Sequence, residues 1–158
     1  MFYFLQDREV IMAVLKIKKL NDKAIIPTRG TKGSAGLDLF ALLDSPLTIN
    51  PGELVRVNTG IAIELPSEGY VAYVYARSGL GVKHGICLSN GVGVIDSDYR
   101  GEICVGLCNV SDKPYTIEPF ERIAQLVVAP VCQLEPVEVQ ELSETERGQG
   151  GFGSTGKM

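Results

Sequence analysis

The sequence has no tryptophan, one histidine, and no apolar run of the roughly 18 residues that a membrane-spanning helix needs. The histidine, His84, cannot complete a zinc site of the usual composition with the four cysteines, Cys87, Cys104, Cys108 and Cys132, which lack CxxC spacing. The 15 basic residues are outnumbered by 19 acidic ones, and a net charge of −4 has the wrong sign for a protein that tracks a nucleic-acid backbone. We therefore expect buried, reduced thiols and no direct contact with membrane or nucleic acid.

No signal or transit peptide is recognisable at the start of the chain, where a short apolar segment is followed by Asp7, Arg8 and Glu9. This predicts a cytoplasmic protein. Met12 directly precedes the first strand-like segment, so we expect residues 1–12 to be an N-terminal extension of a domain over 13–139.

Turn-forming residues are abundant, with 18 glycines and 8 prolines among 158 residues. They separate short segments in which apolar and polar residues alternate, as in strands with one wet face. We predict one short helix over 78–83, and strands over 14–18, 36–43, 54–57, 61–65, 70–75, 86–88, 91–95, 102–110, 115–117 and 122–131. Such a series in a chain of this length predicts a single all-β domain, a jelly-roll-like sandwich or barrel.

Two of these strands carry apolar residues on both faces, over 103–108 and 124–129. Strands of this kind are covered on both sides, either by a second sheet or by another subunit. Gln125 is then unusual, because it is a polar residue within an apolar strand.

Residues 140–158 are acidic and then rich in glycine, and we expect them to form a flexible C-terminal arm. A formal dinucleotide fingerprint over 148–153 lacks the strand–helix unit that such a site needs. The closely spaced glycines would still let backbone N–H groups converge on phosphate oxygens, with Arg147, Ser154 and Thr155 adding donors and Phe152 a ring to stack on a base. The alternative is a disordered terminus without a ligand.

Asp96 follows apolar Ile95 at the end of a predicted strand, and Tyr99 lies three residues further on. A carboxylate in this position could hold or activate a water molecule while Tyr99 forms the wall of a pocket. The alternative is a polar hairpin with solvated carboxylates.

A second group of residues is suited to anions. Arg77, Ser78 and Gly79 place a guanidinium, a hydroxyl and bare backbone amides together at the start of a short helix, although a glycine-rich turn without ligand has the same composition. Asp38 lies in an apolar strand, where an ionised carboxylate is costly unless it is paired, near a metal, or accepting backbone hydrogen bonds.

Together these segments resemble the five ordered motifs of the trimeric dUTPases. The matching segments are AGLDLFA at 35–41, ARSGLG at 76–81, GVIDSDYRGEI at 93–103, ERIAQLVV at 121–128 and RGQGGFGSTG at 147–156. The resemblance extends from about residue 13 to residue 156. Two departures are Ala76, where the family often has proline, and Phe120, where it usually has glycine and where we expect the turn to be reshaped.

The resemblance implies a jelly-roll homotrimer whose active sites are each shared between subunits. It implies hydrolysis of dUTP to dUMP and pyrophosphate by water attack on the α-phosphate, with Mg²⁺ as cofactor. Such an activity limits uracil in DNA and supplies dUMP for dTMP synthesis.

The resemblance also assigns roles to residues. Asp96 would orient the attacking water, with Gln125 and Arg147 completing the catalytic set, and Asp38 would act on the metal through bound water. The arm would close over the site as a lid from a neighbouring subunit. The expected substrate-binding residues are Arg77, Ser78, Gly79, Asn90, Ile95, Tyr99, Gln125, Arg147, Phe152, Gly153, Ser154 and Thr155.

Two alternatives share this architecture. One is a dCTP deaminase of the same fold, which uses a glutamate base, whereas this chain has Asp96 in the corresponding segment. The other is a nucleotide-sensing or regulatory trimer without catalysis. Asp96, Gln125 and the glycine-rich arm favour the hydrolase.

Overall fold

The computed structural model describes residues 13–151, which form antiparallel strands and one helix. The strands are β1 (Lys16–Lys19), β2 (Leu37–Phe40), β3 (Leu47–Ile49), β4 (Leu54–Asn58), β5 (Ile61–Glu64), β6 (Tyr70–Ala76), β7 (Ile86–Leu88), β8 (Gly93–Ile95), β9 (Cys104–Asn109), β10 (Tyr115–Ile117) and β11 (Arg122–Pro130). Helix α1 (Ser78–His84) joins β6 to β7. The all-β class predicted from the sequence is confirmed.

Four sheets are formed, two of them large enough to enclose a core. The larger has strand order β2-β11-β6-β8 and the next has order β4-β9-β7, while β1 pairs with β5 and β10 with β3. All of these pairings are antiparallel. No helix within residues 13–151 has the length and apolar character that crossing a membrane requires.

The core lies between the inner faces of the two larger sheets. Side chains alternate between the faces of a strand, so every second residue of β9 and β11 enters this core. Fully buried examples are Leu39, Leu126, Val57, Val105 and Leu107. The other face of β9, which carries Cys104, Gly106 and Cys108, is only half-buried within the chain.

The predicted strands all appear, with ends that differ by up to three residues, but β3 was missed. Its three residues lie between Pro46 and Asn50 and are too few to show an alternating pattern. The expectation of buried thiols is wrong for Cys132, which is exposed beyond the end of β11, whereas the other three free cysteines are partly buried.

Helix α1 ends at Gly85, which has a left-handed φ of 67°. A Cβ at this position would lie 2.8 Å from the Cβ and 2.9 Å from the backbone nitrogen of Ser111, so only glycine fits. The last helical residue, His84, packs its ring against Tyr115, with the ring centroids 4.7 Å apart. The end of the helix is thereby held against β10.

The turn before β11 contains a strained residue. Glu121 N–H donates to the Glu118 carbonyl at 3.0 Å, Pro119 occupies the second position, and Phe120 has a φ of 63°. This is the pattern of a type II turn, whose third position is normally glycine because of the positive φ. Phe120 is the one non-glycine residue with positive φ in the described part of the chain.

We predict that Phe120→Gly stabilises the protein by about 1 kcal/mol, because it removes the strain of a side chain in the left-handed region. At fixed protein concentration the melting temperature should rise by about 3 °C. The matched control is Phe120→Ala, which keeps a Cβ at positive φ and should bring no such gain. Equal melting temperatures for the two variants would show that Phe120 is not strained.

Candidate active site

The segment from β7 to β9 encloses a cavity of about 330 Å³, which we call the hairpin pocket. Its wall includes Asn90, Ile95, Asp96 and Tyr99, so four of the predicted site residues are brought together here. The apolar part of the wall is formed by Val74, Leu88, Val94, Ile103 and Val105. An apolar cavity with a few polar groups is the usual form of a small-molecule site.

Asp96 and Tyr99 belong to one turn at the rim of this pocket. Tyr99 N–H donates to the Asp96 carbonyl at 3.2 Å, and the Tyr99 hydroxyl donates to the Glu102 carbonyl at 3.1 Å. A Cβ at Gly101 would lie too close to the hydroxyl end of Tyr99, so a larger residue there would displace the Tyr99 side chain. The Asp96 carboxylate is exposed, and no ion pair within residues 13–151 engages it. Asp96 is therefore free to accept a proton or a hydrogen bond from a water molecule.

Glu102 anchors the far side of the pocket. Its Oε1 accepts a hydrogen bond from Gly60 N–H at 2.7 Å, which ties the turn after β4 to the segment carrying Tyr99. Burial, and then the Glu102 carboxylate, raise the pKa of the nearby Cys104 thiol above its ordinary value. A thiol that stays protonated is a poor nucleophile, which agrees with a site that forms no covalent intermediate.

A second group of charged residues lies at the other end of the four-stranded sheet. Asp38 of β2 is 6% exposed, with Arg77 Nε at 3.3 Å from its Oδ1 and Arg122 Nη1 at 3.2 Å from its Oδ2. Arg77 Nη1 also donates to the Arg122 carbonyl at 3.0 Å. We call Asp38, Arg77 and Arg122 the arginine cluster. Two guanidinium groups around one carboxylate leave a local excess of positive charge, which suits a phosphate group.

Arg122 reaches Asp38 because of a β-bulge in β11. Gln125 pairs with Asp38, but the register shifts by one residue between Arg122 and Ala124, so that Arg122 pairs with Phe40. Phe40 and Asp38 are two residues apart on β2 and share a face. Regular alternation would place Arg122 and Gln125 on opposite faces, and the bulge brings both to the face of Asp38.

The other residues expected at this end lie beside the arginine cluster. Gln125 is half-buried, directly opposite Asp38 on one side and Tyr75 on the other. Ser78 and Gly79 are exposed and begin α1, where the first N–H groups of a helix have no intrahelical partner. Asp38, Arg77, Ser78, Gly79 and Gln125 thus lie at the same end of the sheet.

The hairpin pocket and the arginine cluster lie far apart within one chain. Ile95 pairs with Ala72 of β6 from one side, and Gln125 pairs with Tyr75 from the other. Asp96 is one residue beyond Ile95, away from Gln125. Strand geometry therefore separates Asp96 from Gln125 by about 13 Å along β6 and about 10 Å across it. No single reacting atom can contact both residues of one chain.

The described part of the arm contains one predicted site residue, Arg147. Its Nε donates to the Gly150 carbonyl at 2.7 Å in an exposed turn. Before the arm, Gln133 Nε2 donates to the Glu68 carbonyl at 3.1 Å and Val131 N–H donates to the Gly69 carbonyl at 2.9 Å, which holds the end of β11 and the residues after it. Phe152, Gly153, Ser154 and Thr155 lie outside the described residues.

The donor set can be compared with the needs of Mg²⁺, which usually keeps several waters and binds one or two carboxylates together with substrate phosphates. Within residues 13–151 there is no group of three His, Cys, Asp or Glu side chains that could hold a metal ion. Asp38 Oδ1 is buried without a hydrogen bond, since the Arg77 Nε beside it is close enough for an ion pair but is not aligned to donate. These residues fit a magnesium ion that arrives with phosphate and is contacted through water.

Sequence reasoning missed Arg122 and Glu102 as site residues. The buried carboxylate of Asp38 indicates that a cationic partner is needed, but not that this partner is Arg122. For Glu102 the sequence offers no such signal, because its partner is a backbone N–H more than forty residues away.

The fold and these two groups of residues define an all-β protein with a pocket of small-molecule size and a separate cluster of two arginines around a buried aspartate. The family model for dUTPase matches residues 22–156. The chain belongs to the dUTPase family.

Bacterial relatives match this chain over most of its length. The deoxyuridine 5'-triphosphate nucleotidohydrolase of Burkholderia cenocepacia (strain HI2424) is 51% identical over 143 residues, which cover 90% of this chain and 97% of that protein. The enzyme of the same name from Neisseria meningitidis serogroup A is 52% identical over 148 residues, covering 94% and 97%. These relatives favour the dUTPase over the dCTP deaminase.

Solved structures agree with this assignment. The dUTPase of Staphylococcus bacteriophage 80alpha with dUpNHpp superposes with a TM-score of 0.82 at 31% identity, covering 91% of this chain and 99% of that one. A point mutant of the dUTPase from phage phi11 of S. aureus, which coordinates a structural Mg(II) ion, is 24% identical with a TM-score of 0.74, covering 83% of this chain and 99% of that one. The similarity to the phi11 dUTPase therefore supports the fold alone.

We predict that Asp38→Asn destabilises the protein by about 2 kcal/mol, because two guanidinium groups lose their shared buried counter-charge and Arg122 is partly solvated. Chemical denaturation measures the change. The matched control is Asp44→Asn, whose carboxylate is 90% exposed and pairs with Lys23 at 3.0 Å; it should cost less than about 0.5 kcal/mol. Equal effects of the two variants would contradict a structural role of the arginine cluster.

Proposed function

We propose that this protein is a dUTP diphosphatase, which directs a water molecule at the α-phosphate of dUTP and releases dUMP and pyrophosphate. The observation that carries the mechanism is the exposed Asp96 carboxylate at the rim of the hairpin pocket, without an ion-pair partner in the described residues. The activity limits uracil in DNA and supplies dUMP for dTMP synthesis. Such a role implies a cytoplasmic location.

The hairpin pocket would bind the nucleoside. The Asn90 side-chain amide offers both a donor and an acceptor, as does the hairpin backbone, and the uracil edge needs both. The Tyr99 ring would pack against the deoxyribose, where it leaves no room for a 2′-hydroxyl. Ile95 would close the apolar side of the pocket. This arrangement would select against UTP because the 2′-hydroxyl does not fit, and against dCTP because its base does not match the hydrogen bonds offered to the uracil edge.

Arg77, Ser78, Gly79 and Gln125 would hold the phosphates or their waters. The separation of Asp96 from Gln125 in one chain supports a site in which these groups come from different subunits. The extended segment after β11 supports the same conclusion, because its apolar side chains are exposed to solvent in the single chain. These side chains are Leu134, Val137, Val139 and Leu142. We infer a homotrimer in which such surfaces are covered by a neighbour.

The chemical step needs no covalent nucleophile. Asp96 would accept a proton from the water as its oxygen forms a bond to the α-phosphorus, while the bond from that phosphorus to the bridging oxygen breaks. Pyrophosphate leaves with the bonding electron pair, and the guanidinium groups of Arg77 and Arg147 would stabilise the charge on its oxygens. Gln125 would orient the phosphate or the water. Phosphoryl transfer is catalysed mainly by such positioning and electrostatic stabilisation.

Mg²⁺ would bind the triphosphate and neutralise part of its charge. Asp38 would contact the ion through a water molecule that donates a hydrogen bond to Oδ1, the atom that lacks a hydrogen bond in the single chain. The arm would then cover the site, with Phe152 over the uracil and Arg147, Gly153, Ser154 and Thr155 on the phosphates. A lid of this kind excludes other water from the reaction.

The test of this function is pyrophosphate release from purified protein with Mg²⁺, with dUTP, dTTP, dCTP and UTP compared in parallel. We predict strong selectivity for dUTP. Ammonia release from dCTP would identify a deaminase instead. Binding of dUTP without hydrolysis would identify a sensor or regulatory trimer.

For the role of Asp96 we predict that Asp96→Asn lowers kcat by at least about 100-fold with little change in the Kd for dUpNHpp, because the amide cannot accept a proton. Steady-state kinetics and calorimetric titration measure the two quantities. Asp98→Asn is the matched control, since it removes a neighbouring carboxylate of the same turn. Wild-type turnover by Asp96→Asn would refute the role of Asp96.

A further inference from the structure

The strained turn at Phe120 is held by hydrogen bonds from the backbone and from a side chain. The turn makes two backbone hydrogen bonds with Ala41. Phe120 N–H donates to the Ala41 carbonyl at 2.9 Å, and Ala41 N–H donates to the Glu121 carbonyl at 2.8 Å. The Glu121 Oε2 accepts the Glu118 N–H at 3.0 Å across the turn. Strained conformations persist only where the surroundings over-determine them.

The second oxygen of the same carboxylate is held by Tyr115. The Tyr115 hydroxyl donates to Glu121 Oε1 at 2.5 Å. Burial, and then the hydrogen bond to Glu121 and its charge, raise the pKa of Tyr115 to about 12, while Arg77 acts in the opposite direction. The phenol is therefore protonated and able to donate throughout the neutral range. Both oxygens of Glu121 are fixed, one by the turn and one by β10.

The turn leads directly into the arginine cluster. Arg122 follows Glu121, pairs with Asp38 through its side chain, and accepts a hydrogen bond from Arg77 through its carbonyl. A small displacement of the turn would therefore move both guanidinium groups. Tyr115 also touches the other side of this region, because His84 at the end of α1 packs on its ring. Ser78 and Gly79 lie at the start of that helix.

We propose that Tyr115 is a positioning residue for the triphosphate, acting through Glu121 to hold the strained Phe120 turn and so to aim Arg122 and Arg77. The inference rests on the proposed function, which places Arg77 on the phosphates, and it extends that role to Arg122 of the same cluster. It touches neither the hairpin pocket nor the reacting atoms. Its signature is a loss of affinity confined to ligands that carry the triphosphate.

The experiment compares wild type with Tyr115→Phe, which keeps the ring against His84 and removes only the hydroxyl. Calorimetric titration with Mg²⁺ uses two probes, dUpNHpp, which needs both parts of the site, and deoxyuridine, which needs only the hairpin pocket. We expect Tyr115→Phe to weaken dUpNHpp about fivefold and deoxyuridine less than twofold, a range typical of coupling through a packed network. The KM for dUTP should rise while kcat changes less.

The matched control lies on the same strand. Thr116→Val removes the hydroxyl pair that Thr116 makes with Thr48 at 2.8 Å, on the exposed side of β10. It deletes one hydrogen bond from β10, as Tyr115→Phe does, but it has no connection to the turn. Both ligands should bind this variant as they bind wild type.

A double-mutant cycle tests the route through the turn. In a Phe120→Gly background the turn no longer needs to be held, so Tyr115→Phe should weaken dUpNHpp less than twofold. An undiminished fivefold loss in that background would overturn the proposal, as would equal weakening of dUpNHpp and deoxyuridine. If Tyr115→Phe binds dUpNHpp as wild type does and the enzyme is active, the positioning role of Tyr115 is overturned while the proposed function stands. A wild-type protein that does not hydrolyse dUTP would refute the proposed function itself.

Discussion

The ion pairs of Asp38 are the interaction on which the rest of the site depends. A buried carboxylate is costly unless it is paired, and here two guanidinium groups from different segments compensate it. One guanidinium comes from the residue that precedes α1 and the other from the start of β11. The same charge balance therefore stabilises the fold, fixes the beginning of the helix and leaves positive charge on the surface. Stability and the proposed phosphate recognition would therefore be coupled at this point of the molecule.

The sequence was informative where the signal is local. Alternation located the strands, and the isolated carboxylate in an apolar strand required a partner that the structure provides. The partner itself was not predictable, because regular alternation points Arg122 away from Asp38 and only the bulge at Ile123 reverses this. Phe120 illustrates the opposite case. Its departure from glycine was visible in the sequence, but a reshaped turn was expected, whereas the residue adopts the left-handed conformation itself. Backbone strain held by distant contacts has no local signature.

The two groups of site residues differ in how they are built. Most of the hairpin pocket is formed by consecutive segments, with Arg56 and Val74 added from other strands, so the order of the sequence already brings Asn90, Asp96 and Tyr99 together. The arginine cluster depends on the pairing of β2, β11 and β6, which are distant in sequence. In the function that we propose, the pocket would determine which nucleoside is bound and long-range pairing would determine how its phosphates are held. We therefore expect substitutions in the first group to change selectivity and those in the second to change folding as well.

The distance between the two groups has a consequence for how the enzyme responds to dilution. In the trimer that we propose, each reacting phosphate contacts groups from more than one copy of the chain. Specific activity would then depend on the concentration of protein, because a dissociated subunit contains only part of a site. Two inactive chains, one altered in the hairpin pocket and the other in the arginine cluster, would restore some activity when assembled together. In such a trimer, catalysis would belong to the contact between copies, and a single polypeptide would not possess it.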